Sequence, residues 1–395
     1  MSFAINAQDS HDFAVAELNL LNTAKALPNI DLEKSEIRPG TPIYDENGEI
    51  LFYRVPLKQP SGRNGYADVA AQTLFGESLL AIAPQAEWNA AAWLAQAKAV
   101  FARSAGANQT AHYDEVRFVA YSYPKIAVQF LAGGKELAML ELVTWKPVPA
   151  ATSTRRKTQE PGQFERWSLI NEMPTKRKND GAKRFEARAA NFRKAVGNRL
   201  SPSNLVISRD LLPGAIGVLK LFDTQEIHYS SRATDHTPCF ELRGQETNVW
   251  CVGASVQMLL DFYRYPYSQT RIAEELGLGT VASPNGLPYG QEDLVPQTLH
   301  KLSSNALTAA KVATPAFSVY VNEIRANRPL ISFIPGHSRA VAGYTRSLLA
   351  LLGNDGFTGL LVYDPWPPNT GVITRWENFN TQTYRYAFTA RVTTV

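Results

Sequence analysis

The chain has 395 residues, 45% of them hydrophobic and 19% charged, proportions that exclude wholesale disorder and leave room for two or three domains. A net charge of +4 is too mild to demand nucleic acid as a partner. Only two cysteines occur, Cys239 and Cys251, which excludes a disulfide scaffold and a four-cysteine zinc site, and no apolar run approaches the roughly 20 residues of a membrane span.

The amino terminus shows no basic start followed by an apolar run, so the sequence predicts a cytoplasmic protein or one exported by a leaderless route. Phe13, Val15, Leu18, Leu21 and Leu27 at helical spacing predict an amphipathic helix over 10–27, ending before Pro28. Asn47-Gly48, between strand-forming runs within 43–55, predicts a hairpin, because both residues tolerate the positive φ of tight primed turns. An alanine-rich helical pattern spans 84–105, and strands are expected over 115–121, 125–131 and 136–145, the last after Gly133-Gly134. Residues 1–150 thus read as a small α+β domain of helices packed on an antiparallel sheet.

Residues 151–200 change character. Between Arg155 and Arg199 stand thirteen Lys/Arg and five acids, a surplus of +8 in an otherwise acidic chain. With few aromatics for stacking on bases, the stretch reads as a basic, partly helical connector and a natural protease target, rather than a nucleic-acid surface. Strand-like runs at 204–208 and 215–222 then open a third region, 201–395.

The chemistry concentrates there. After Cys251 the apolar positions Val252, Val256, Leu259, Leu260 and Tyr263 keep helical spacing, which puts Cys251 at a helix amino terminus. Unpaired N–H groups and the helix dipole favour a thiolate at that point, and the thiolate is the nucleophilic form. A base is available at His337, presented after Pro335-Gly336 at the start of a strand. Asp364 ends a buried strand just before Pro365, where its carboxylate could orient an imidazole.

Gln245, Cys251 at a helix start, His337 before a strand and Asp364 on a following strand resemble papain-like cysteine peptidases. The closer likeness is to the branch of bacteriocin-leader-processing peptidases and bacterial effector proteases. It rests on Trp250-Cys251, on the helix Gln257 to Phe262, and on Ser268-Gln269 with Ile272-Ala273. It covers about 240–370. The resemblance implies an α+β fold, with the cysteine-bearing helix packed on an antiparallel sheet, and a bacterial hydrolase acting on a protein or peptide. It also implies Cys251 as nucleophile, His337 as general base and then acid, Asp364 as its orienter and Gln245 as oxyanion donor. Papain itself favours Asn as the third residue and a tryptophan after the cysteine; Asp364 and Trp250 both shift the match towards the processing branch. Arg346 to Thr358 reads as an insertion, within which Asn354 and Asp355 compete with Asp364. The first domain loosely resembles the inhibitory propeptide of streptopain-type proteases, which implies a zymogen activated by cutting the connector.

Blander readings stand beside these. Cys239 reads as structural, although a Cys239–Cys251 disulfide would silence the site. His228, His236 and Cys239 form a weak zinc candidate, and no other histidine shows metal spacing, so no metal or cofactor is expected. The loop Pro284-Asn285-Gly286-Leu287-Pro288 is a candidate wall of a substrate groove, and Trp366 could wall the cleft or simply pack a loop. Acyl transfer or amide hydrolysis on another acceptor, and a catalytically silent binding module, are the alternatives to peptide hydrolysis. Oligomeric state has no signal in the sequence.

Overall fold

The computed structural model describes residues 3–27, 32–104, 112–150, 166–196, 222–227, 240–347 and 358–393. Helix α1 (Ala7–Thr23) starts three residues earlier than the apolar pattern, because the Asn6 side chain accepts from the Asp9 N–H at 2.8 Å and caps it. Strands β1 (Glu36–Ile37), β2 (Thr41–Asp45), β3 (Ile50–Lys58), β4 (Asn64–Ala70) and β5 (Leu79–Ala83) follow. The β2–β3 turn uses Asn47-Gly48 as expected, with Gly48 at φ 87° and the Asn47 side chain accepting from the Glu49 N–H at 2.9 Å.

Helix α2 (Ala90–Ser104) begins six residues into its predicted span, where the Asn89 side chain accepts from the Ala92 N–H at 3.1 Å. Then come β6 (Glu115–Ser122), β7 (Lys125–Ala132) and β8 (Lys135–Glu141). Strand β4 had no signal in the sequence, since Asp68 interrupts its apolar alternation. The structure buries that carboxylate against Arg54 of β3 in a two-pronged pair at 2.7 and 2.8 Å. The expectation of a purely antiparallel first sheet needs correction. β2 runs parallel to β6, a pairing that requires the long crossover through β3–β5 and α2.

Of the basic stretch, residues 166–196 are described, comprising α3 (Leu169–Glu172) and α4 (Thr175–Val196). Several of its cations are turned inward: Arg166 pairs with Glu46 and Glu136, and Arg188 with Glu17 and Glu77. The expected strand at 204–208 and most of that at 215–222 lie outside the described residues, as do Cys239, His228 and His236.

After β9 (Phe222–Glu226) the carboxy-terminal half contains α5 (Cys251–Phe262), α6 (Gln269–Leu276), α7 (Leu294–Leu302), β10 (Leu307–Ala313), α8 (Phe317–Arg325) and β11 (Leu330–Ile334). It ends with β12 (His337–Ser347), β13 (Thr358–Asp364), β14 (Val372–Asn378) and β15 (Tyr386–Val392). Its strand pairings are antiparallel, in the order β10-β15-β11-β12-β13-β14 with β9 added on β12. β14 also pairs with β5 through Trp376 opposite Ile82 and Glu377 opposite Ala81, so one sheet runs through both halves. Helices α5 to α8 bury Val256, Leu259, Ile272, Leu299 and Ile324 in a common core with β11–β13, the layer that positions the site. The fold is α+β, with helices and strands largely segregated along the chain.

Candidate active site

Cys251 is the first residue of α5, a buried free thiol. The helix is apolar on nearly every side and buried along its length, with Gln257 and Asp261 as its partly exposed positions, and it ends at Tyr263, before Arg264 at φ 67°. Trp250 precedes it with no side-chain cap, so the first-turn N–H groups keep their polarity towards the sulfur. The Trp250 indole is wholly buried and donates to the Leu278 carbonyl at 2.9 Å, which anchors the start of the helix.

Against this helix end lies β12. His337 opens the strand, and Ser338 donates from its hydroxyl to Ser255 of α5 at 3.0 Å, one helical turn beyond Cys251. That buried bond fixes helix to strand, and the nearby Ser338 N–H favours the Cys251 thiolate. The His337 Nε2 lies 2.6 Å from Asp364 Oδ1, and the same oxygen accepts from the Trp366 N–H at 2.8 Å. With Nε2 committed to the carboxylate, Nδ1 is the ring nitrogen left for the thiol. It is buried and has no hydrogen-bond partner among the described residues.

The electrostatics follow from these contacts. Burial pushes the Cys251 thiol up, but the His337 imidazole and the Lys125 ammonium more than reverse it, and its pKa falls below the ordinary thiol value. Burial pushes His337 down, while Asp364 and the sulfur raise it above the ordinary histidine value. Asp364 is raised by burial, yet held low in net by His337, Arg339 and the Trp366 N–H. The arrangement favours a thiolate beside an imidazolium, two charges that stabilise each other in a water-poor cleft.

Gln245 is fully buried beside the loop that follows Asp364. Its N–H donates to the Pro365 carbonyl at 3.0 Å, and its own carbonyl accepts from the Asn369 N–H at 2.9 Å. Gly244 allows this approach, since a Cβ there would meet the Thr370 nitrogen at 2.4 Å. Gln269 closes the other side, donating to the Gly244 carbonyl at 2.9 Å and to Gln257 at 3.0 Å and accepting from the Glu246 N–H at 2.9 Å. The Gln245 amide nitrogen donates to the Thr247 carbonyl at 2.6 Å, which leaves its second hydrogen for another acceptor.

The structure therefore brings Cys251, His337 and Asp364 together and fixes Gln245 beside the loop that follows Asp364; Asn354 and Asp355 lie outside the described residues. Two further residues of the site are not marked by the sequence motifs. Arg339, on the same face of β12 as His337, makes a buried two-pronged ion pair with Glu377, which also accepts from the Tyr384 hydroxyl at 2.8 Å. A charged residue two places from a site histidine, inside an apolar strand, was a readable signal. Lys125 had none. It begins β7, in the other half of the molecule, yet its Nζ donates to the Gly336 carbonyl at 3.2 Å and lies 5.8 Å from the centroid of the Trp366 ring. Among the described residues no cluster of His, Cys, Asp and Glu could hold a metal ion, and no helix is long and apolar enough to cross a membrane.

A helix-borne thiol facing a strand-borne imidazole–carboxylate pair, on an α+β scaffold, defines a papain-like cysteine peptidase. Residues 237–392 match the model of the Peptidase_C39 like family, and this part of the chain is a cysteine peptidase domain related to that family. No curated protein matches the chain. Among solved structures, similar chains include a double glycine motif protease from the AMS/PCAT transporter in complex with the leader peptide. It is 13% identical with a TM-score of 0.26, covering 40% of this chain and 96% of that one. Another is UfSP from C. elegans, 14% identical with a TM-score of 0.28, covering 44% of this chain and 35% of that one. The family match, which leaves residues 1–236 uncovered, carries the assignment.

Proposed function

We propose that the chain is a cysteine endopeptidase working through Cys251, His337 and Asp364, made as a zymogen whose amino-terminal half closes the cleft. The observation that carries the catalytic reading is the 2.6 Å His337–Asp364 contact beside a thiol whose pKa is lowered chiefly by that imidazole. In the reaction the Cys251 thiolate attacks the scissile carbonyl. Charge developing on the carbonyl oxygen is met by the free hydrogen of the Gln245 amide and by the Cys251 N–H. His337 then gives its proton to the leaving amine, which departs as the thioester forms. His337 next takes a proton from water as its oxygen attacks the thioester, and collapse of that adduct expels the Cys251 thiolate and the acid, leaving the thiolate beside the imidazolium. Asp364 holds the imidazole in the orientation and charge state these transfers need.

The zymogen reading is supported by burial. Cys251 is 6% and His337 4% exposed, and the β6–β7 turn of the amino-terminal half, with Tyr123 and Lys125, lies against the site. A cavity of about 150 Å³ between Tyr66, Trp88 and Tyr123 on one side and Asp364, Trp366 and Pro367 on the other is what this apposition leaves open. Activation would require cutting the chain between the halves, in the basic stretch.

Incubating wild type beside Cys251→Ala and following intact masses tests both claims. The expected result is cleavage of wild type alone, within 151–200. If both chains stay whole, self-activation is lost; if wild type treated with an external protease also cleaves no peptide, the peptidase reading falls.

A further inference from the structure

Lys125 is 1% exposed, a cation taken out of water by a fold that must compensate it. The peptidase domain contributes several of its partners. Gly336 offers a carbonyl 3.2 Å from the ammonium, Trp366 presents a ring face at 5.8 Å, and Cys251 and Asp364 supply negative charge. The amino-terminal half adds Glu141, whose carboxylate is also held by the Val143 and Thr144 N–H groups. If the amino-terminal half moves away, Glu141 leaves with Lys125, while the carbonyl, the indole and the two anionic groups stay behind. What they form is a seat for a cation: a carbonyl oxygen accepts an ammonium or guanidinium proton, and an indole face attracts either charge. An acidic side chain placed there would be repelled by Asp364 and the thiolate, and an apolar one would leave the Gly336 carbonyl without its donor. The seat adjoins His337 and Asp364, so a side chain occupying it belongs to a residue flanking the scissile bond.

We propose that this seat is a subsite for a basic side chain of the substrate, and that Lys125 closes the cleft as its internal occupant. The inference rests on the peptidase reading above and adds to it a substrate class, polypeptides with Lys or Arg next to the bond cut. It also gives the basic stretch a role, because its Lys/Arg other than the buried Arg166 and Arg188 offer self-cleavage sites of the required kind. Opening the cleft breaks no covalent bond at Lys125; a substrate cation simply replaces it.

The test uses the full-length chain and reads alkylation of Cys251 by iodoacetamide, mapped by peptide mass, at a pH where each variant's rate has reached its plateau. Lys125→Ala empties the seat and should speed alkylation about tenfold or more, the order expected for losing one charge-assisted hydrogen bond. Adding n-butylammonium, the missing side chain as a free cation, should slow the reaction back towards wild type, whereas n-butanol should not. Lys125→Met keeps the length of the side chain and guards against misfolding; it should react faster than wild type and ignore both additives. An unchanged rate in Lys125→Ala, or equal protection by butanol and butylammonium, overturns the proposal. In Lys125→Ala, paired peptides carrying Lys or norleucine beside the scissile bond should differ about tenfold in kcat/KM, and equal cleavage also overturns it. Loss of cleavage of both peptides with amine protection intact faults the peptidase reading and leaves the cation seat standing.

Discussion

In the carboxy-terminal half, His337, Arg339, Asp364 and Glu377 meet within three consecutive strands, β12, β13 and β14, so the ladder hydrogen bonds that set register also set the distances between charges. In the amino-terminal half the buried charges are gathered from afar. Glu17 of α1 and Glu77, just before β5, converge on Arg188 of α4, with Ser78 also donating to Glu17. The first network exists once one sheet has formed. The second exists only while α4 is docked, and α4 belongs to the basic stretch proposed above as the site of activating cleavage. The first network is thus built into a single run of strands, whereas the second depends on a helix docked from another part of the chain.

Replacing His337 strikes the sheet-fixed network hardest. His337→Ala should lower kcat/KM by about 10²–10⁴-fold, the range of general acid–base catalysis, with the fold retained by circular dichroism. A loss below tenfold would remove His337 from its role. Gln245→Ala should cost roughly 10²–10³-fold, falling on kcat with little change in KM, as steady-state kinetics would show. Equal losses in substrate binding would instead make Gln245 a scaffold residue that only holds the 244–246 segment.

Arg339→Leu leaves Glu377 buried and unpaired, which should cost about 3–5 kcal/mol in denaturant unfolding. Arg339→Leu with Glu377→Leu should recover most of it. Failure of the double variant to recover stability would deny that the pair is the source.

The pH dependence sharpens the contrast further. With Cys251 held low and His337 held high, alkylation of Cys251 in a chain freed of its cover should already be rapid below the free-thiol pKa of about 8.5. Peptide hydrolysis should fall on the alkaline side as the imidazolium is lost, the two limbs belonging to the pair rather than to either residue. Rates that rise only near the free-thiol value would contradict the ion pair.

The smallest effect concerns Glu17, which burial pushes up from 4.5 to about 7 against the pull of Arg188. A folded-state pKa above the unfolded one gives stability that is full below about pH 4.5 and is lost as pH rises through about 7. The thermal midpoint of the intact chain should therefore decline over that interval, and Glu17→Gln should flatten the slope. An unchanged slope would show that Glu17 does not titrate there.

What was legible in the sequence is what short-range pattern controls. The spacing of Val252, Val256, Leu259 and Leu260 starts a helix at Cys251, Pro335-Gly336 delivers His337 to the head of a strand, and Asn47-Gly48 turns the β2–β3 hairpin. Each follows from backbone preferences acting over a few residues. The α+β class and the kinship to papain-like peptidases were legible for the same reason. Tertiary structure alone decided which distant groups meet. β4 carries Asp68 only because Arg54 lies across the ladder, and β2 runs parallel to β6 through a crossover whose partner no local pattern names. Lys125 reaches the site from the other half of the molecule, 211 positions from the Gly336 carbonyl it donates to. Burial of a charge depends on the partner that compensates it, and that partner is fixed by the packing of layers rather than by any residue's neighbours in the chain.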